Sequence, residues 1–304
     1  MKRVGFIYDP FYLQHDTGVH HPESPKRLVA ILKAIESLMP RLVAITPRHA
    51  DESDLFTVHL GDQIEKVRHC TETLSAIDSD TVCSEHSYEV AKRAVGAGLA
   101  AVDAITQGDS ERVFCAVRPP GHHATPVRSM GFCLFNNIAI TARYAQKQGY
   151  AKVFIVDFDV HHGNGTQDTF YDDDTVFYFS THQALAYPGT GMEDETGIGA
   201  GKGFTYNELL MPDSGDAEIL PVYEETLPKL VAEFAPDIIL VSAGYDLHES
   251  DPLAQLNVTT DGIRRIVRAI VRSADVPCVF FLEGGYDPEA LGRNVAVTLE
   301  EMLA

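Results

Sequence analysis

The feature that most limits the fold is a repeated alternation of short apolar runs with amphipathic stretches. Apolar runs rich in β-branched and aromatic residues predict strands buried on both faces. These strands span residues 4–8, 112–117, 152–157, 175–180, 237–242 and 277–283. The amphipathic stretches predict helices over residues 25–38, 62–76, 84–106, 134–148, 218–233, 260–273 and 288–303. The alternation predicts an α/β fold with three layers, α/β/α, and a mostly parallel central sheet.

Neither a linker nor an internal repeat interrupts the pattern, so we expect a single domain over residues 1–304.

The chain carries 24 basic and 44 acidic residues, a net charge of −20. This balance argues against a nucleic-acid partner, which would require a basic face. It suits a solvated surface, or an enzyme that attracts cationic substrates.

Two further counts concern the cellular location. No run of about 18 apolar residues is present, so no membrane span is predicted, and the apolar run at the start is too short for a signal peptide. An odd number of scattered cysteines without a C-x-x-C pair is typical of reduced thiols, which favours a cytoplasmic protein. The five cysteines are Cys70, Cys83, Cys115, Cys133 and Cys278.

Unusual polar segments follow four of the predicted strands directly. They are residues 119–123, 157–165, 242–246 and 283–286. In open parallel sheets, ligands bind outside the carboxyl ends of the strands. We therefore expect these four segments to meet at one crevice.

A metal site is predicted within these segments. Asp159 and His161 are two residues apart at a strand end, so both side chains can point the same way, and Asp246 ends another strand. Two carboxylates and one imidazole leave an open position, which is typical of a catalytic zinc site. The oxygen ligands would also accept Fe(II), Mn(II) or Co(II).

His122 and His123 form an adjacent pair in a frame of proline and glycine. Beside a cation, neighbouring imidazoles have their pKa values pushed apart, so one can serve as a base while the other donates a hydrogen bond. Each ring needs a partner on its far nitrogen. Asp157 and Asn164 are the candidates.

At this point the motifs resemble a known family. The matching segments run in chain order over nearly the whole sequence: H-H-P-E-S-P-K-R at 20–27, R-P-P-G-H-H-A at 118–124, G-F-C-L-F-N-N at 131–137, D-F-D-V-H-H-G-N-G-T at 157–166, Y-P-G-T-G at 187–191, S-A-G-Y-D at 242–246, D-P-L at 251–253 and E-G-G-Y at 283–286. The chain resembles the zinc-dependent histone deacetylases, which have the arginase–deacetylase fold. The asparagine at position 164 resembles the class II branch of the family, whereas the class I branch has aspartate there. The short chain resembles the bacterial-type homologues.

The resemblance implies roles for the residues of these motifs. Asp159, His161 and Asp246 would hold zinc. His123 would be the general base, with Asn164 as its partner. His122 would be an electrostatic helper or acid, with Asp157 as its partner. Tyr286 would donate its hydroxyl to the developing oxyanion. Phe132, Tyr187 and the backbone at Gly131 would line the substrate tunnel.

Relatives in this family also bind structural potassium. By resemblance, one potassium site would use Asp157, Asp159, His161, Ser180 and Thr181, partly through their carbonyl groups. A second would use Phe170, Asp173, Val176 and, on a weaker match, Phe204.

The resemblance also bears on the substrate. Leu253 stands where animal acetylpolyamine deacetylases carry a glutamate that recognises a second ammonium group. The implied enzyme is therefore a hydrolase that removes acetyl or related acyl groups from lysine-like amines. The alternatives are acetylpolyamines, small-metabolite amides and, more remotely, a non-catalytic acyl-lysine binding protein.

A manganese ureohydrolase of the same fold fits poorly, since it would have no use for the tandem histidines and Tyr286. The expected partner is an acylated amine, with room for a homo-oligomer and none for nucleic acid or a membrane.

Overall fold

The structure, a computed structural model, describes residues 3–304. An eight-stranded sheet lies at its centre, in the order β2-β1-β3-β8-β7-β4-β5-β6, and every pairing is parallel. The strands are β1 (Val4–Ile7), β2 (Val43–Ile45), β3 (Arg112–Cys115), β4 (Val153–Asp157), β5 (Val176–Gln183), β6 (Thr205–Leu210), β7 (Ile238–Ala243) and β8 (Cys278–Leu282). The predicted α/β class and parallel sheet are thus confirmed.

Helices cover the sheet so completely that every residue of β4, β5, β7 and β8 is buried. They are α1 (Lys26–Ala34), α2 (Glu52–Leu55), α3 (Gly61–Thr73), α4 (Ser87–Thr106), α5 (Asn137–Lys147), α6 (Asn164–Phe170), α7 (Asp216–Pro221), α8 (Leu227–Phe234), α9 (Thr260–Ser273) and α10 (Pro288–Leu303). α10 packs between α1 and α9, while α4 packs against α5. Within residues 3–304, each helix is too short or too polar to cross a bilayer.

The sheet contains two strands that the sequence pattern did not predict, and both lie at its edges. β2 has only three residues and none of them is buried, while β6 alternates buried and half-buried positions. Neither forms the continuous apolar run that marks a central strand. The predicted helix over 218–233 is also divided, because Pro221 ends α7 and a π-helical turn at Val222–Thr226 precedes α8.

The cysteines depart from expectation in one place. Cys70, in α3, forms a disulfide with Cys83, and their Cα atoms are 5.7 Å apart. The chain folds back between them, with the Cys83 amide donating to the Ser75 carbonyl at 3.0 Å, and this brings the two sulfurs together. The prediction of reduced thiols is wrong for this pair, and the argument for a cytosolic location from thiols loses its basis. Cys115, Cys133 and Cys278 are free and buried.

Candidate metal and catalytic site

The carboxyl ends of β4 and β7 bring three candidate ligands together. Asp159 and His161 follow β4, Asp246 follows β7, and their ligand atoms lie within 4.8 Å of one another. His161 Nδ1 is 3.1 Å from Asp159 Oδ1 and 3.2 Å from Asp246 Oδ2. The strands that carry them are paired in register, Asp157 opposite Ser242, so the convergence follows directly from the sheet.

The donor atoms fit a divalent cation. The Gly284 amide donates to Asp159 Oδ2 at 2.8 Å, and the Val160 amide donates to Asp246 Oδ1 at 3.0 Å. Asp246 Oδ2 is buried and accepts no hydrogen bond within residues 3–304. Burying an unsatisfied carboxylate oxygen is costly unless a cation offsets it. Two carboxylates and one imidazole are ligands that Zn²⁺ accepts, with an open position left over.

The potential at this cluster is negative. Burial alone would lower the pKa of His161, but the hydrogen bond to Asp159 and the negative charge of the adjacent Asp246 carboxylate raise it to about 10. A group that holds a proton so strongly lies where positive charge is stabilised, and a metal ion would take the place of that proton.

Two glycines allow the cluster to be this compact. A Cβ atom at Gly284 would lie 2.1 Å from Asp246 Oδ2, and one at Gly244 would lie 2.0 Å from Asp159 Oδ2. Side chains at either position would push a carboxylate away. The glycines of the S-A-G-Y-D and E-G-G-Y segments are therefore steric requirements of the cluster.

The tandem histidines lie next to the cluster, with ring centroids 4.0 Å apart. His122 Nδ1 is 3.1 Å from Asp157 Oδ2, and His123 Nδ1 donates to Asn164 Oδ1 at 2.9 Å. These are the pairings that the sequence suggested. With its Nδ1 proton directed at Asn164, neutral His123 has an unprotonated Nε2.

The two imidazoles have opposite environments. Burial alone would lower the pKa of His122, but the carboxylates of Asp157 and Asp159 raise it to about 10. Burial lowers the pKa of His123 well below its usual range, and the positive charges of His122 and His161 lower it further. His122 is thus an imidazolium at neutral pH, while His123 is neutral and able to accept a proton.

A cavity of about 230 Å³ opens onto these groups. Tyr187 packs edge-on against His123 with ring centroids 5.0 Å apart, and Phe132 packs edge-on against Tyr286 at 5.9 Å. Gly131 has φ 56°, and a Cβ atom there would lie 2.5 Å from His123 Cδ2. The cavity lining comprises Asp80, Pro120, His122, His123, Gly131, Phe132, His161, Tyr187, Leu253, Gly284 and Tyr286.

The predicted tunnel residues Gly131, Phe132, Tyr187 and Leu253 all line this cavity, and Leu253 is 44% exposed at its mouth. Three lining residues, Pro120, Gly284 and Asp80, were not singled out from the sequence, although Gly284 belongs to the E-G-G-Y segment. Pro120 belongs to the R-P-P-G-H-H-A segment, so its place could have been inferred. Asp80 lies in the segment between Cys70 and Cys83, where no sequence pattern marks it.

Tyr286 is held from two sides. Its backbone amide donates to Asp251 Oδ2 at 2.6 Å, and the Arg27 guanidinium lies 5.1 Å from its ring centroid. Burial raises the pKa of the Tyr286 hydroxyl well above its usual value, and the charge of Asp246 adds to this. The hydroxyl therefore keeps its proton and can donate a hydrogen bond.

The first set of potassium candidates lies at the carboxyl ends of β4 and β5. Asp157 and Ser180 are register partners, and Thr181 follows in β5, its hydroxyl 2.8 Å from the Tyr223 hydroxyl. Asp159 and His161 follow β4 directly, so the five candidates belong to two neighbouring strands or to the segment just after one of them.

The second set of potassium candidates lies in two separate segments, one between α6 and β5 and one just before β6. The Asp173 amide donates to the Phe170 carbonyl at 3.1 Å just beyond α6, and Val176 begins β5. The carbonyl of Phe204 accepts a hydrogen bond from the Tyr178 amide at 2.9 Å, and its ring packs 6.2 Å from that of Phe177. Phe204 thus has a clear role in strand pairing and in the apolar core.

Comparison with known proteins agrees with this geometry. Residues 21–302 match the family model for the histone deacetylase domain. A probable deacetylase of Methanothermobacter thermautotrophicus is 43% identical over 95% of this chain and 87% of its own length. Histone deacetylase 14, chloroplastic, of Arabidopsis thaliana is 40% identical over 93% of this chain and 73% of its own length. The solved structure of the HDA15 HD domain has a TM-score of 0.95 at 34% identity. The match covers 99% of this chain and 88% of the HDA15 chain. The chain belongs to the histone deacetylase family, and its sheet and helices form the arginase–deacetylase fold.

Proposed function

We propose that the chain is a zinc-dependent amidohydrolase that removes acetyl or related acyl groups from lysine-like amines. One observation carries the proposal: His161 of the Asp159–His161–Asp246 cluster, the neutral His123 and Tyr286 all line a single cavity. Each of these groups has a task in amide hydrolysis, and together they supply a Lewis acid site, a base and a hydrogen-bond donor.

The metal would be held by Asp159, His161 and Asp246. When bound there, zinc supplies a Lewis acid that polarises an amide carbonyl and lowers the pKa of water, roughly to 7 in well-studied sites. His123 accepts the proton of the attacking water at Nε2, because its Nδ1 proton is held by Asn164. Asp157 keeps His122 oriented and charged beside the reacting atoms.

Tyr286 acts on the other side of the scissile amide. Its hydroxyl donates to the amide oxygen as negative charge develops there, and one such donor is worth about 3 kcal/mol. The proton taken by His123, or that of His122, passes to the leaving amine. The C–N bond breaks, and a carboxylic acid and a primary amine result.

The cavity walls favour an extended aliphatic amine as the substrate. Phe132 and Tyr187 are aromatic faces along which methylene groups can pack, and Leu253 is an apolar residue at the mouth. A lysine side chain has this shape. Potassium at the two sets of residues described above is part of the same proposal, as a structural ion.

Acetylpolyamines are a second candidate, favoured by one observation. Asp80 lines both the cavity and the groove at its mouth, where its carboxylate could pair with a second ammonium group. Leu253 offers no such charge, so the two mouth residues favour different substrates.

The test compares substrates on purified, zinc-loaded protein, with metal-stripped protein as the control. We expect turnover of a fluorogenic acetyl-lysine peptide that a hydroxamate inhibits and that chelation abolishes. Turnover of acetylpolyamines alone would establish the second candidate. Turnover of neither substrate by protein with one bound zinc would refute the removal of acetyl groups from either amine and would leave a longer acyl group or a binding protein.

A further inference from the structure

Glu283 is a completely buried acid directly after β8 that has no part in the chemistry described above. Its side chain makes three hydrogen bonds. Oε2 accepts from the Gly121 amide at 2.6 Å and from the His122 amide at 3.2 Å, and Oε1 accepts from the Ser242 hydroxyl at 3.3 Å. Among residues 3–304, no lysine, arginine or histidine forms an ion pair with this carboxylate. Burial raises the pKa of Glu283 to about 7.

The backbone of Glu283 is itself fixed. Its amide donates to the Ala243 carbonyl of β7 at 3.0 Å, and its carbonyl accepts a hydrogen bond from Arg27. The side chain therefore projects from a rigid support at the centre of the sheet. The segment it reaches has little room to move, since a Cβ atom at Gly121 would lie 2.6 Å from the Asn137 amide nitrogen.

We propose that Glu283 is a positioning residue: its carboxyl group anchors the backbone at Gly121 and His122 and thereby places both imidazoles of the tandem pair. The inference rests on the proposed deacetylation, to which it adds a residue that touches neither substrate nor metal. The anchor acts through hydrogen bonds that require the full length of the glutamate side chain. A displacement of about 1 Å in such a site can lower turnover by about 100-fold.

Two variants separate reach from charge. Glu283→Gln keeps the length and an acceptor oxygen for the two amides, while its NH₂ group faces the Ser242 hydroxyl. Glu283→Asp keeps the charge and is one methylene shorter. We expect the Gln variant to keep kcat within about threefold, and the Asp variant to lose about 10- to 100-fold in kcat with KM and zinc content unchanged.

A spectroscopic readout is independent of activity. Only Gly121 and Gly189 follow a proline in this sequence, so protein labelled with carbonyl-¹³C proline and ¹⁵N glycine gives two signals in a carbonyl-filtered amide spectrum. The Gly121 amide proton should lie downfield in the wild type and in the Gln variant and should move upfield in the Asp variant. Exposed Gly189 is the internal reference.

The results separate this proposal from the proposed function. A folded Asp variant with wild-type kcat and an unmoved Gly121 signal would overturn the anchor. Equal loss of kcat in the Gln and Asp variants would also overturn it. The anchor requires that the Gln variant, which keeps the length and an acceptor oxygen, retains more activity than the shorter Asp variant. If the wild type hydrolyses no acyl amine while the Gly121 signal moves as expected, the proposed function fails and the anchor stands.

Discussion

Glu23 offers a direct test of how the protein holds its catalytic loop. The side chain is fully buried and accepts hydrogen bonds from Arg118 Nη2 at 2.7 Å and from Arg27 Nη1 at 3.2 Å. Arg27 also donates to the Gly285 carbonyl at 2.7 Å, next to Tyr286. Replacing Glu23 by glutamine would leave two buried guanidinium groups without their counter-charge.

The expected cost follows from the pKa of Glu23. Burial alone would raise it, but the positive charges of Arg118 and Arg27 lower it from 4.5 to about 2. A shift of about 2.5 units corresponds to about 3 kcal/mol of stability at neutral pH. Breaking a buried ion pair by removing one partner costs about 3–5 kcal/mol, in agreement with this figure.

The pH dependence has a definite sign. Because the pKa is lower in the folded state, the stabilisation is fully present above pH 4.5 and is lost as the pH falls towards 2. With these two pKa values, the difference between wild type and Glu23→Gln should shrink by about 2 kcal/mol between pH 7 and pH 3.

Urea unfolding followed by far-UV circular dichroism measures this difference, since the chain contains no tryptophan. Glu65→Gln is the control: Glu65 pairs with Arg68 at 2.7 Å but is 63% exposed, so it should cost under about 1 kcal/mol. A Glu23→Gln variant within 1 kcal/mol of wild type at pH 7, or an effect of constant size down to pH 3, would refute the reasoning.

Three further variants test the proposed chemistry. Tyr286→Phe should lower kcat by about 10²- to 10³-fold with zinc content unchanged, and an unchanged rate would rule out the oxyanion role. Asp246→Ala should lose metal and activity together, with affinity for zinc reduced by at least roughly 100-fold in a competition titration; full zinc occupancy would contradict the ligand assignment. Leu253→Glu should shift the ratio of kcat/KM values by about tenfold towards acetylpolyamines over an acetyl-lysine peptide, the effect of about 1.4 kcal/mol. A ratio that does not change would show that the mouth charge does not select the substrate.

The central part of the fold and the site could be predicted because both depend on local patterns. β4 and β7 are continuous buried runs, and each is followed within three residues by a candidate metal ligand. Parallel pairing then brings Asp159 and Asp246 to the same edge without further information. The partners of the tandem histidines were found for the same reason, since Asp157 and Asn164 lie in one of these segments.

What the sequence did not reveal depends on contacts between distant segments. The edge strand β2 forms by pairing with β1, and its own three residues show no buried apolar pattern that could predict it. Asp80 reaches the cavity because the chain folds back between Cys70 and Cys83. The buried pairing of Glu23 with Arg118 joins residues 95 positions apart, and no periodic pattern signals such a pair.

The strand order has a consequence for how the protein is made. β8 comes last along the chain, yet it lies between β3 and β7 at the centre of the sheet. Until residue 278 has emerged from the ribosome, β2-β1-β3 and β7-β4-β5-β6 are two half-sheets, each with an open apolar edge. Such edges invite association with other chains. The nascent chain is therefore most vulnerable to aggregation until β8 is available to pair with both β3 and β7 and so to close the sheet.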